Sequence, residues 1–517
     1  MIEGRNLWEL IERRAAESPD GEMAVDEEGR TLTFGEYRGQ VERVAAGLAA
    51  HGIGEDDVVS WQLPTWFEST VLVAALSRLG AIQNPILPIY RSREVGFVTG
   101  QAGTKLLIVP GTFGGFDFAA MAAQIAAGSE GLDVMVVDRS GDHDLPEGDP
   151  SDLPAAAEPP DDPADLPVRW LFYTSGTTAD PKGAKHTDAS VAAIAKGMGE
   201  RYRAVPEDRG AMVFPFTHIG GITWLFTSLQ FGSVNLFVEA FNPATTVPFL
   251  AENGVTLAGA GTPFHMVYLA AQRQQPDTPL FPDVRGFPGG GAPKPPQLHY
   301  DLMAEMGGVG ILSGYGLTEA PILTLVDVDD SDEAKADTEG RAMPGVDLRL
   351  VSMTDGSICG PGEEGEIRAK APQLMQGYLD PSLDAAAFDD DGYFRSGDLG
   401  VLDEDGNLTI TGRVKDIIIR NMENISAKEV EDLLYTHDQV GDVAVIGLPS
   451  ERTGEMVCAV VATAEGAEPI TFEAMVDHLS DLGLRKQALP ERLEIVDAVP
   501  RNPTGKIVKY ELVERFS

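Results

Sequence analysis

The sequence predicts an α/β fold in two parts: a large N-terminal domain of layered α/β sheets plus a small antiparallel sheet or barrel, residues 1–412, and a small α+β domain, residues 417–517. Three observations predict it. Apolar strand-like runs alternate with helix-period patterns as far as about residue 319, which calls for largely parallel sheets covered by helices. From Val346 the strands become short and alternating, with Gly turns between them. Past Gly412 the order changes again to mixed helix and strand over about 100 residues, the size of an independent domain.

Taken in order, residues 58–63, 105–109 and 133–137 are the first strands, and residues 41–50 and 66–79 carry helical spacing. Residues 140–167 are rich in Asp, Glu and Pro and contain no Lys or Arg, the composition of a surface connection. The alternation resumes over 168–319. Residues 365–368 and 407–410 are the short strands of the antiparallel sheet or barrel. The last domain reads helix 427–435, strands 443–447 and 456–463, helix 472–482, strand 492–496 and a final helix.

Composition narrows the class. The chain of 517 residues is too long for one hydrophobic core. Its 43% hydrophobic and 23% charged residues are those of a globular protein, and no apolar run approaches the roughly 18 residues of a membrane span. No signal-like core follows Met1, so a cytoplasmic protein without integral membrane association is expected. A formal charge of -42 repels nucleic acid and anionic lipid, and an anionic substrate then needs a locally positive cleft or a cation. The surplus fits either a solvated acidic surface or life in high salt. Cys359 and Cys458, about 100 residues apart with no CxxC, are expected as buried small hydrophobes, with no disulfide or thiolate metal site. The eight histidines show no metal-ligand pairing.

Two segments carry the chemistry. Residues 173–183, Tyr-Thr-Ser-Gly-Thr-Thr-Ala-Asp-Pro-Lys-Gly, form a loop whose hydroxyls and backbone N–H groups suit phosphate oxygens, although it is not a Walker A loop. Residues 500–506, Pro-Arg-Asn-Pro-Thr-Gly-Lys, end on Lys506, a lone cation able to stabilise developing negative charge. Between them stand Phe214-Pro215-Phe216-Thr217-His218-Ile219-Gly220-Gly221, Gly314-Tyr315-Gly316-Leu317-Thr318-Glu319-Ala320, Arg395-Ser396-Gly397-Asp398-Leu399-Gly400, Gly412-Arg413-Val414-Lys415-Asp416, and Glu423-Asn424-Ile425.

In this order and spacing the segments resemble the acyl-adenylate-forming (AMP-binding) superfamily along essentially the whole chain, most closely its acyl-CoA synthetase or acid:CoA ligase branch. The resemblance implies an enzyme that activates a carboxylic acid with ATP to acyl-AMP and pyrophosphate, then passes the acyl group to the thiol of CoA, with Mg2+ as cofactor. It implies that Thr174, Ser175, Gly176, Thr177, Thr178 and Lys182 hold the leaving phosphates. Thr318 would contact the α-phosphate, and Glu319 would ligate Mg2+, a hard cation suited to oxygen ligands. Tyr315 would offer its ring to adenine, Gly291 and Ala292 would belong to the nucleotide site, Asp398 would accept from the ribose hydroxyls, and Arg413 would assist there. Lys506 would neutralise the carboxylate and α-phosphate oxygens as acyl-AMP forms. Residues 413–416, with Lys415, would be the hinge on which a mobile C-terminal lid turns between the half-reactions.

His218 is read either as a residue at the mouth of the acyl and CoA tunnels or as a core histidine. The apolar stretch 219–231 with residues 289–292 would line the acyl pocket, where Trp224 and Phe226 are pocket or core. No Asp or Glu lies between Phe214 and Gln230 to pair with an α-ammonium group, which disfavours an amino-acid substrate. One departure from the family pattern concerns the thioester step: Asn421-Met422 stands where relatives carry Gly-Gly, and a side chain there makes a positive φ costly. Arg420, Lys428, Arg452 and Arg485 are cations open to the CoA nucleotide or to ordinary surface pairing. Two alternatives stay open: delivery of the acyl group to a separate carrier protein or other acceptor, and a non-catalytic nucleotide-binding relic. A luciferase-like oxygenase has nothing in its favour. The acid's identity is not encoded in any motif, and a homodimer is an open expectation.

Overall fold

The computed structural model describes residues 1–139, 144–174, 181–291, 294–420, 423–450, 452–501 and 507–517. The chain divides into two compact units, Met1–Asp347 with Lys370–Phe394, and Leu348–Ala369 with Arg395–Ser517. The expected boundary after residue 412 therefore differs from this partition, in which the small sheet groups with the C-terminal residues.

In the first unit a six-stranded sheet has the order Lys182–His186, Trp170–Thr174, Ile82–Pro85, Val58–Trp61, Leu106–Val109, Asp133–Val136. Its pairings are parallel except the first, where Lys182 lies opposite Thr174 and His186 opposite Trp170 in an antiparallel pair. Side chains of the inner strands Val58–Trp61 and Leu106–Val109 are buried on both faces, as parallel strands between helices require. A second sheet orders Arg209–Met212, Val234–Phe237, Glu22–Asp26, Thr31–Thr33, and a third orders Phe287–Gly290, Ile311–Tyr315, Thr324–Leu325, Arg341–Ala342.

The helix Ile219–Phe231 is buried almost all round, the signature of a core helix. Trp224 stacks on Tyr202 with 6.5 Å between ring centroids, and Phe226 is fully enclosed, so both serve the core. The connection after residue 143 is irregular apart from the turns Pro150–Asp152 and Pro163–Asp165, and Arg5 reaches Asp161 at 3.0 Å. Among the described residues no helix is long and apolar enough to cross a membrane.

In the second unit the expected sheet or barrel is a four-stranded sheet, Asp347–Val351, Gly365–Lys370, Phe394–Leu402, Leu408–Arg413. The α+β part is a five-stranded sheet in which Glu423–Ser426, Ile417–Arg420, Gly454–Thr463 and Val440–Ser450 are neighbours and Arg492–Val496 adds on Gly454–Thr463. Period-two alternation buries both faces: Val443, Val445, Val457 and Val461 pack with the helices Ala427–Leu434 and Phe472–Asp481, while Ala444, Ile446, Cys458 and Val460 pack with Leu512 of the helix Lys509–Phe516. Cys458 is buried as expected. Cys359 is only half-buried, because it sits in a turn with its Sγ 3.3 Å from the Glu364 carbonyl oxygen.

Candidate active site

Thr174 ends one strand and Lys182 begins its antiparallel partner, so the two residues face each other across the sheet edge. Residues 175–180, which include Ser175, Gly176, Thr177 and Thr178, lie outside the described residues. Gly183, which pairs with Tyr173 in this register, has no room for a side chain, since a Cβ there would sit 2.9 Å from the Tyr173 ring.

Tyr315 is the last residue of the strand Ile311–Tyr315 and is buried. Gly314 beside it pairs in register with Gly290 of the parallel strand Phe287–Gly290. A Cβ on Gly290 would lie 2.9 Å from the Gly314 carbonyl oxygen, so the glycines bring the two strand ends into contact at the carboxyl edge, where α/β sheets present ligands. Gly291 follows with φ of 76° and is exposed; Ala292 lies outside the described residues.

The loop after Tyr315 is tight. Leu323 N–H donates to the Tyr315 carbonyl at 2.7 Å, and Leu317 and Ala320 exchange backbone hydrogen bonds. Ile322 holds φ of 43°, a genuine outlier for a β-branched residue and the kind of strain that surrounding contacts must hold in place. Those contacts come from two places. The buried His186 ring donates Nε2–H to the Thr318 carbonyl at 2.9 Å, and burial pushes its pKa down to about 4. The strap 373–379 supplies the rest: Gln373 Nε2 donates to the Ile322 carbonyl at 3.0 Å, Met375 N–H donates to the Glu319 carbonyl at 2.9 Å, and the Tyr378 hydroxyl donates to Glu319 Oε1 at 2.9 Å. The strap is itself laid along the strand Lys182–His186 by the Gln376, Leu379 and Lys185 amides.

Glu319 is 9% exposed and accepts a second hydrogen bond on Oε1 from Thr174 Oγ1 at 3.3 Å. Lys182 Nζ stands 5.6 Å from the centre of the Tyr378 ring, a cation–π distance. The first unit thus brings together Thr174, Lys182, Thr318 and Glu319, with Tyr315 and Gly291 on neighbouring strand ends. Among the described residues no group of three or more His, Cys, Asp or Glu could hold a metal. A single carboxylate fits a cation bound mainly by phosphate oxygens and water, as Mg2+ usually is.

His218 is exposed, which rules out the core reading. It caps the helix Ile219–Phe231, its Nδ1 accepting the Gly220 N–H at 3.1 Å, so its proton is carried on Nε2. In the second unit Asp398 is 4% exposed and faces Arg413 across antiparallel strands, Arg413 Nε donating to Asp398 Oδ1 at 2.7 Å. Val414–Asp416, with Lys415, is a short 3-10 turn. Asn421, Met422 and Lys506 lie outside the described residues. Arg420 and Arg452 both pair with Glu491, and Lys428 with Asp432, which gives these cations surface partners. His186, Gln373 and Tyr378 were missed in the sequence, where nothing separates them from ordinary strand and loop residues.

The profile of the AMP-binding enzyme family matches residues 11–379, and that of its C-terminal domain matches residues 429–506. The chain belongs to the AMP-binding enzyme family. Within this acyl-adenylate-forming ligase family it is 30% identical to the medium-chain fatty-acid–CoA ligase of Escherichia coli (strain K12), over 98% of this chain and 90% of that one. It is also 30% identical to the salicyl-AMP ligase / salicyl-S-ArCP synthetase of Mycobacterium tuberculosis, over 99% and 91%. The solved structure of ATP-bound MatB from Rhodopseudomonas palustris matches with a TM-score of 0.87 at 28% identity, covering 99% of each chain. The α/β family fold, a large N-terminal domain with a small C-terminal one, is therefore this chain's fold.

Proposed function

We propose that this ligase is an AMP-forming acyl-CoA synthetase acting on a carboxylic acid. The observation that carries the reading is the junction of the Thr174 and Lys182 strand ends, which in sequence flank the phosphate-suited segment, with the buried Glu319 carboxylate.

In the first half-reaction a carboxylate oxygen attacks the α-phosphorus of ATP and the bond to pyrophosphate breaks, a displacement governed by positioning and charge. Thr174 to Thr178 and Lys182 hold the departing phosphates, Thr318 the α-phosphate, Tyr315 with Gly291 and Ala292 the adenine side, and Asp398 with Arg413 the ribose. Glu319 would hold Mg2+, which when bound offsets phosphate charge. Lys506 supplies positive charge to the reacting oxygens. In the second half-reaction the thiol sulfur of CoA attacks the acyl carbonyl and AMP leaves; His218 stands at the tunnel mouth, and residues 413–416 are the hinge between the two states. The medium-chain fatty-acid–CoA ligase relative supports CoA as acceptor. The salicyl-AMP ligase relative supports a second reading, delivery to a carrier protein.

The test incubates the protein with ATP, Mg2+ and a panel of aliphatic, alicyclic and aromatic acids, with and without CoA, and identifies products by mass spectrometry. Acyl-CoA is expected; acyl-AMP that accumulates regardless of CoA refutes the CoA reading and directs attention to Met422. Lys506→Ala is expected to slow adenylation by about a hundredfold or more, on the order of 3 kcal/mol, while thioester formation from supplied acyl-AMP is kept. Equal loss of both half-reactions refutes its assignment.

A further inference from the structure

We propose that Tyr378 is a positioning residue for Glu319, holding one carboxylate oxygen so that the other is presented to a divalent cation. The inference rests on the reading of Glu319 as the Mg2+ ligand. Both side-chain hydrogen bonds that Glu319 accepts converge on Oε1, from Tyr378 at 2.9 Å and Thr174 at 3.3 Å, and among the described residues Oε2 accepts none. A carboxylate tethered through one oxygen keeps a fixed direction for the other, which is how outer partners orient metal ligands.

Tyr378 is well built for this task. It is 5% exposed, its backbone N–H is tied to Asp384 Oδ1 at 2.8 Å, and Ala184 pairs with it as an isolated antiparallel bridge. Gly377 before it has φ of 94°, and a Cβ there would meet Asp384 Oδ2 at 2.7 Å, so the turn that aims the ring depends on glycine. The same ring faces Lys182 Nζ at 5.6 Å. Tyr378 therefore fixes the spacing between a cation and the carboxylate that would share the phosphates, although it touches no reacting atom.

The test is Tyr378→Phe, which keeps the ring and removes only the hydroxyl. Calorimetric titration of Mn2+ into protein saturated with the α,β-methylene analogue of ATP is expected to show affinity lower by about tenfold, the loss of one hydrogen bond to a charged acceptor. Analogue binding without metal is expected to be unchanged. A double-mutant cycle with Glu319→Gln separates positioning from packing: Tyr378→Phe is expected to cost Mn2+ affinity only where Glu319 is intact. Equal Mn2+ affinity of wild type and Tyr378→Phe, or the same cost in both backgrounds, overturns the inference while leaving the proposed function standing. Failure of the wild-type protein to bind the analogue overturns both.

Discussion

At the scale of single residues, two buried histidines show how burial tunes chemistry without any sequence motif. His186 donates to the Thr318 carbonyl and His265 to the Pro288 carbonyl, and desolvation pushes both down to about 4 from 6.5. In the unfolded chain these imidazoles protonate near 6.5, so between that pH and about 4 the unfolded state binds more protons. The stability they contribute is complete above pH 6.5 and is lost as pH falls through about 4. We expect their ring resonances in NMR to stay in the neutral form from pH 7.5 to about 5; titration near 6.5 contradicts their burial. The motif residues carry a signal in the sequence itself, because hydroxyls, a carboxylate and lysines at fixed spacing suit phosphate chemistry. His186 carries none, since its role depends on a carbonyl 132 residues away.

At the scale of elements, the loop from Tyr315 to Leu323 leaves no room for added atoms. A Cβ on Gly316 would lie 2.1 Å from the Ile322 amide nitrogen, so Gly316→Ala cannot be absorbed without moving backbone. We expect this variant to lose ATP-dependent turnover by at least tenfold, and hydrogen exchange of residues 316–323 to accelerate. Unchanged exchange and turnover would show that the loop yields freely. Gln373→Ala is milder: it leaves the Ile322 carbonyl without its donor, and a fall in stability of about 1–3 kcal/mol is expected in denaturant titration. Neither fragility can be read from hydrophobic periodicity, which locates strands and helices but is silent on an irregular strap. The regular elements were legible for the same reason: alternation in residues 443–447 and 456–463 appears in the structure as a sheet buried on both faces.

At the scale of the whole molecule, a formal charge of -42 means self-repulsion that screening relieves. The Debye length shortens from about 10 Å at 0.1 M salt to about 3 Å at 1 M. The melting temperature is expected to rise with KCl, most steeply over the first few hundred millimolar; a flat or falling profile would show that the acidic residues are already neutralised by pairing. The chain's periodicity, composition and ordered motifs sufficed for the α/β class, the small C-terminal α+β domain and the adenylate-forming family, because these depend on residue types at short, regular spacing. The grouping of the small sheet with the C-terminal residues, the solvent exposure of His218 and the support of Glu319 by Tyr378 emerged only on folding. Each is a contact between segments far apart along the chain or a matter of solvent exposure, and neither property leaves a local pattern: the Tyr378 hydroxyl finds its carboxylate 59 residues away along the chain.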